Sequence, residues 1–209
     1  MNASARRRMN ARGCQVVVVG LFLVAHASMA QLIPVATWDF NNTLDAREGG
    51  IPALTAIDPL APDYFVMDTV FGESKWVYRF GGDASPATSQ GGLQVSTEGI
   101  LDLDDKYSVD IVFMFDVGEE DAYNNVLGSC NRSSDNALYI GPSNKPELYP
   151  HTPGPTTFTY GEYHRLTLVN RGDGTRTAVY LNGVEQFYGA STVLDFSTYS
   201  AQNPDRILT

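Results

Sequence analysis

Acidic side chains crowd one short segment of the chain. Asp116, Glu119 and Asp121 lie close together around a glycine, with Glu120 between them and Asn124 just beyond. Ca²⁺ takes about six to eight oxygen ligands, often carboxylates and loop carbonyls, although this spacing is not that of an EF-hand. The segment therefore predicts a calcium site at Asp116, Glu119 and Asp121. The alternative is a solvated acidic loop that keeps the protein soluble.

Tyrosines near this segment suggest a second kind of chemistry. Tyr123 follows the acidic residues, and Tyr149 and Tyr160 flank a proline-rich stretch at 141–155. An aromatic ring offers an apolar face that can stack on a sugar, and the tyrosine hydroxyl adds a polar end. We expect Tyr123, Tyr149 and Tyr160 to be exposed and to bind a ligand. The proline-rich stretch is either an ordered excursion over a sheet face or a mobile flap.

The sequence carries no recognisable catalytic motif. Glycosidases use paired carboxylates, but the run at 119–121 lacks the alternation that would place them on one face of a strand. The Gly-x-Ser-x-Gly elbow, the zincin motif and phosphate-binding loops are absent. The sequence therefore predicts a protein that is not an enzyme. An unrecognised carbohydrate-active enzyme is the alternative.

A cysteine–histidine pair is the remaining nucleophilic combination. Cys130 is accompanied by His151 and His164. His164 alternates with Leu166 and Leu168, which favours a structural role in a strand. A single Cys130 is more often a small buried apolar residue than a nucleophile.

The first thirty residues predict where the protein works. They combine an apolar run at 16–25 and the small residues Ser28 and Ala30 with four preceding arginines, Arg6, Arg7, Arg8 and Arg12. This order is typical of a secretory signal peptide and is too short for a membrane span. We predict a signal peptide at 1–30 and a domain at 31–209 that is secreted, extracellular or at the cell surface. The alternative is a buried N-terminal helix.

The net charge indicates which binding partners are not expected, and the cysteine content indicates whether an internal disulfide can form. The chain has 14 basic and 24 acidic residues, and removal of 1–30 takes four basic residues away, leaving 10 − 24 = −14. Such a surface repels phosphate backbones, so no nucleic acid partner is expected. Cys14 would leave with the signal peptide, so a chain with Cys130 alone has no internal disulfide and depends on its core.

The pattern after residue 30 is that of strands. At 107–116, apolar side chains alternate with Ser108 and Asp110, the two-residue period of a strand with one face on a core. Asn182-Gly183 predicts a type I′ hairpin. Further strands are predicted at 35–40, 64–69, 75–80, 92–97, 124–128, 138–140, 156–160, 164–170, 177–182, 184–188 and 206–209. The fold class is all-β.

Two motifs carry a family resemblance. GEYHRLTLVN at 161–170, followed by VYLNG at 179–183, is similar to the signature of laminin-G-like, concanavalin A-like jelly rolls, and ATWDF at 36–40 resembles their first strand. DTVFG at 68–72, VYRF at 77–80 and NRSSDN at 131–136 resemble secreted bacterial proteins of the PEP-CTERM-associated type. The resemblance implies a two-sheet antiparallel β-sandwich. Relatives continue into a closing strand, so we expect 31–209 to be C-terminally incomplete.

The resemblance leaves several functions open, because this fold hosts lectins, glycosidases, adhesion modules and spacers. We predict a secreted, non-catalytic module that binds a glycan or an extracellular protein, with Ca²⁺ as the one cofactor to consider. A glycosidase-like enzyme and a structural spacer without a small ligand are the alternatives.

Overall fold

The computed structural model describes residues 14–25, 34–57, 63–82, 91–98, 106–129, 137–170, 176–194 and 207–208. These residues form strands and loops without a helix. The strands are β1 Cys14–Ala25, β2 Ala36–Trp38, β3 Thr55–Ala56, β4 Tyr64–Val70, β5 Glu73–Gly82, β6 Leu93–Ser96, β7 Tyr107–Phe115, β8 Asn124–Gly128, β9 Ala137–Ile140, β10 Pro146–Leu148, β11 His164–Asn170, β12 Thr177–Leu181, β13 Val184–Gly189 and β14 Ile207–Leu208.

The strands form one large and two small antiparallel sheets. The large sheet runs β13-β12-β11-β7-β1-β5-β4, with β2 also paired to β1. The small sheets run β10-β9-β8 and β14-β6-β3. Apolar side chains of both small sheets pack on the large sheet in one cluster. The predicted all-β sandwich of antiparallel sheets is confirmed.

The alternation of β7 divides its side chains between two environments. Val109, Ile111 and Phe113 face the main core, while Met114 belongs to a smaller cluster with Val70 and Val77 on the other face. A two-residue period forces this separation. The second face of β7 is therefore covered as well as the first.

The apolar N-terminal run lies inside the large sheet. β1 pairs with β7 over Val16–Ala25 and with β5 over Cys14–Val18, while Leu21–Leu23 pairs with β2. An apolar run of this length is compatible with a signal peptide and with a strand in the interior of a sheet. Removal of 1–30 as a signal peptide stays a prediction. The alternative of a buried N-terminal helix is wrong, because the run is a strand.

The predicted type I′ hairpin joins β12 to β13. Asn182 and Gly183 both have positive φ, 51° and 81°. His164 supports this turn, because its Nδ1 lies 2.9 Å from Asn182 Nδ2 and its Nε2 lies 2.9 Å from the Thr159 carbonyl oxygen. Both ring nitrogens are thus engaged in a buried histidine. The structural role predicted for His164 is confirmed.

One predicted strand is wrong, and two short strands, β3 and β10, were missed. Residues 156–160 form no strand, because their backbone bonds elsewhere: the Thr156 amide donates to the Gln186 side chain and the Phe158 amide to the Asn144 carbonyl. β10, in the proline-rich stretch, was not predicted. Proline at its first position is compatible with an edge strand.

Candidate functional site

The outward face of the small sheet β8-β9-β10 carries a polar row. Tyr139 of β9 lies opposite Asn125 of β8 on one side and Glu147 of β10 on the other. Directly opposed residues in antiparallel strands point to the same face. The neighbouring positions Leu138 and Leu148 therefore point into the core. Three short strands thus bring an amide, a phenol and a carboxylate together.

Two further tyrosines extend this row. Tyr123 precedes β8 and Tyr149 follows β10, and we call Tyr123, Tyr139 and Tyr149 the tyrosine face. The Tyr123 ring lies 5.6 Å from that of Tyr139 at 78° and 6.2 Å from that of Tyr149 at 85°. Both pairs are edge-to-face, an arrangement that aromatic quadrupoles favour. Tyr123 is 51 % exposed, so its ring is open to solvent.

Glu147 is the unusual member of the site. The residue is only 8 % exposed, and no described residue forms a hydrogen bond or an ion pair with its carboxylate. Burial raises the pKa of Glu147, because it disfavours the charged form. The charge on Glu147 in turn is the main cause that raises the pKa of Tyr123, followed by burial and by Tyr149.

Gly141 makes the space in which this carboxylate lies. A Cβ added at Gly141 would stand 2.6 Å from Glu147 Oε2 and 3.5 Å from Tyr123 Cε1. The carboxylate and the Tyr123 ring edge therefore converge on the bare backbone of Gly141. Any larger residue here would displace the end of the Glu147 side chain.

The proline-rich stretch that carries Tyr149 is ordered by hydrogen bonds. The Gly154 amide donates to the Pro146 carbonyl oxygen at 2.7 Å, and Gln186 Nε2 donates to Thr156 Oγ1 at 2.8 Å. His151 packs on Phe187 with ring centroids 4.7 Å apart. Of the two alternatives left open by the sequence, the ordered excursion describes this stretch.

The structure separates Tyr160 from the other two predicted tyrosines. Tyr160 is 8 % exposed, its ring packs 5.1 Å from Phe158, and its hydroxyl accepts a hydrogen bond from Asn124 Nδ2 at 3.0 Å. The expectation that Tyr160 is exposed is wrong. The Gly161 amide donates to the Phe115 carbonyl, which holds this segment against β7 and turns the ring inward.

The predicted calcium ligands do not converge. The described residues include no group of three or more His, Cys, Asp or Glu that could hold a metal ion. Burial raises the pKa of Asp116, and Asp68 adds to this while Arg79 opposes it. The Asp121 amide donates to Asn144 Oδ1 at 3.4 Å, and the Glu119 carbonyl accepts from Asn124 Nδ2 at 2.9 Å. Calcium binding stays a prediction, tested by melting with Ca²⁺ and with EDTA.

Sequence reasoning named Tyr123 and Tyr149 but missed Glu147. The signal was faint, because Glu147 stands between Pro146 and Leu148 in a stretch rich in turn residues. Cys130 lies outside the described residues. No helix long and apolar enough to cross a bilayer occurs in the described part of the chain.

Comparison with known proteins gives a structural likeness but no sequence match. No protein-family description matches the sequence, and no curated protein matches it either. A solved structure similar to this chain is domain 4 of AbnA, a GH43 extracellular arabinanase from Geobacillus stearothermophilus, in complex with arabinotriose. The likeness covers 84% of this chain and 76% of that chain, with 16% sequence identity and a TM-score of 0.48.

Proposed function

We propose that this protein is a secreted, non-catalytic β-sandwich module that binds a carbohydrate at the tyrosine face. The observation that carries the proposal is the set of three tyrosines around the carboxylate of Glu147 on the outward side of β8-β9-β10. Binding sites for small ligands combine apolar or aromatic surface with a few convergent polar groups. Here the ring faces would pack on a sugar, while Asn125 and Glu147 would bond its hydroxyls.

Secretion is supported by the N-terminal pattern of arginines, an apolar run and small residues. The non-catalytic role is supported by the absence of a known catalytic motif in the sequence. The resemblance to laminin-G-like domains belongs to the same proposal, and it would place this module among extracellular binding proteins.

The site is tested on a glycan array followed by titration calorimetry of any hit. Tyr123→Ala is expected to weaken binding by at least about tenfold, since central aromatic contacts carry much of the binding energy. Tyr149→Ala should act in the same direction. Tyr64→Ala is the matched control, because Tyr64 is 41 % exposed on β4, a strand of the other layer.

Three outcomes would contradict the proposal. Unchanged binding by both tyrosine variants would place the ligand elsewhere. A blank array would reject carbohydrate binding. Release of reducing ends from a polysaccharide, lost in Glu119→Gln or Glu120→Gln, would show an enzyme instead.

A further inference from the structure

We infer that the tyrosine face selects sugars that carry a cationic amine, and that Glu147 makes this selection. The inference rests on the proposed function and names its ligand class. An amino sugar with a free amino group combines the ring that a tyrosine can stack on with an ammonium that a carboxylate can pair.

The first step is the state of Glu147 in the free protein. An ionised carboxylate removed from water is costly unless hydrogen bonds or a counter-charge compensate it. Glu147 is 8 % exposed as a residue, and the described residues supply its carboxylate with neither a hydrogen bond nor an ion pair. The carboxylate oxygens are not among the fully buried polar atoms, so a ligand can reach them. A ligand that brings its own cation supplies what the site lacks.

The second step concerns the groups that face Glu147. Tyr139 lies opposite it on β9, Tyr123 approaches it from the loop before β8, and Tyr149 follows it on the chain. Lys145 lies in the turn before β10, but it forms no ion pair with Glu147. The carboxylate therefore faces phenol rings rather than a cation of the described chain.

The third step is the orientation of the rings. Tyr123 stands nearly perpendicular to Tyr139 and to Tyr149, at 78° and 85°. Perpendicular rings present aromatic faces in different directions, and an aromatic face attracts a cation through its quadrupole. Ring faces around an anionic group are the chemistry that binds an alkylammonium, whereas a neutral sugar would use the rings and leave the carboxylate charge unpaired.

The fourth step is the acidity of the whole chain. Its formal net charge is −10, which raises the local concentration of cationic ligands at low ionic strength. Two exposed arginines elsewhere are paired with carboxylates, Arg165 with Asp110 and Arg47 with Asp39. The net negative charge of the chain and the carboxylate at the tyrosine face therefore both favour a cationic ligand.

The experiment compares two oligosaccharides of equal length that differ only in whether their amino groups are free or acetylated. One is a β-1,4 glucosamine oligomer with free amines, and the other is its fully N-acetylated counterpart. Calorimetry is run where the amine is protonated and Glu147 is ionised. The intact chain should bind the free-amine oligomer on the order of tenfold more tightly, as a single compensated charge would give.

Two variants test the role of Glu147. Glu147→Gln keeps the shape and removes the charge, and it should bring the preference close to unity. Gly141→Ala keeps the charge but displaces the Glu147 carboxylate, since the new Cβ would stand 2.6 Å from Glu147 Oε2. It should also reduce the preference. Because Gly141 does not have a positive φ, this variant should fold even if Glu147→Gln does not.

The outcomes separate this inference from the proposed function. Equal affinity of the intact chain for both oligomers overturns the cation preference and leaves carbohydrate binding standing. An undiminished preference in both variants overturns the role of Glu147. If neither oligomer binds while another glycan on the array does, the amino-sugar assignment falls alone, and a blank array removes both.

Discussion

Glu147 is a residue whose surroundings disfavour the charged form of its side chain. The residue is largely buried, its carboxylate lies beside Gly141 and Tyr123, and burial raises its pKa. In the unfolded chain the same group is hydrated and ionises near pH 4.3. Ionisation is thus easier in the unfolded state than in the folded state. Glu147 therefore lowers the stability of the fold once it is charged.

Replacing Glu147 by glutamine should stabilise the protein at neutral pH by less than about 1 kcal/mol, because a partly desolvated charge is removed. Below about pH 4 the glutamate is protonated in both states, so the difference should vanish. The difference should grow as the pH rises from the ordinary glutamate pKa to the raised folded-state pKa, and it should stay constant above that. Chemical denaturation at neutral and acidic pH measures this.

Glu185→Gln is the matched control for this prediction, because Glu185 is exposed on β13. It should change the free energy of unfolding little at either pH. Equal stability of Glu147→Gln and the unaltered chain at neutral pH would show that the carboxylate is well compensated.

At Asp68, in contrast to Glu147, hydrogen bonds to the carboxylate outweigh the effect of burial on its pKa. Burial disfavours its charged form, but hydrogen bonds from the Thr69 amide, the Tyr163 hydroxyl and Arg79 outweigh burial and lower its pKa. The Tyr163 hydroxyl donates at 2.9 Å and Arg79 Nη2 at 3.0 Å. These bonds link β4 and β5 to the segment before β11 across the outer face of the large sheet.

Asp68→Asn should destabilise the protein by about 1 kcal/mol at neutral pH, because it weakens charge-assisted hydrogen bonds at a partly exposed site. The folded-state pKa of Asp68 is lowered, so its stabilising effect is complete above the ordinary aspartate pKa. The effect is lost as the pH falls through the lowered value. Urea denaturation of both chains against pH checks this, and a difference that persists in acid would point to packing instead.

Turn geometry decides how neighbouring elements meet. The β12–β13 hairpin needs two residues at positive φ, and Asn182 and Gly183 provide them. Asn182 also accepts a hydrogen bond from the Arg165 amide on β11 at 2.9 Å. The turn thus holds three strands in register.

Gly183→Ala should lower the free energy of unfolding by about 1 kcal/mol, because an L-residue is strained at a φ of 81°. Nothing lies within 4 Å of the new Cβ, so backbone strain is the whole effect. Gly49→Ala is the control, since it is equally open and has no positive φ. A thermal melt in which both variants lose equal stability would contradict the type I′ requirement.

The continuity of the large sheet depends on the strand that lies between β5 and β7. β1 pairs with both strands and with β2, so it completes the ladders of the large sheet. The same residues are those that the sequence marks as a signal peptide. One molecule cannot both lose this segment and keep it as a strand, so processing would expose the edges of β5 and β7.

A chain without residues 1–30 should unfold at a lower temperature than one without residues 1–13, which retains β1. Each lost ladder hydrogen bond is worth about 1 kcal/mol net, and the exposed edges also lose protection. Amide hydrogen exchange should accelerate in β5 and β7 but not in β13. Equal melting and equal exchange in the two chains would show that β1 does not contribute to the folded sheet.

Local rules predicted most of the strands after residue 30, but not the site. Alternation over 107–115 and the Asn182-Gly183 pair act between neighbours in the chain, so the sequence by itself determined β7, the hairpin and the all-β class. Glu147 meets Tyr123 only because β8, β9 and β10 pair in one register, with a shift between Asn125 and Leu127. Strand pairing joins residues distant in sequence, and no local pattern encodes it. The tertiary structure alone therefore decided that Tyr160 is buried, that Tyr139 joins the two predicted tyrosines, and that a carboxylate lies among them.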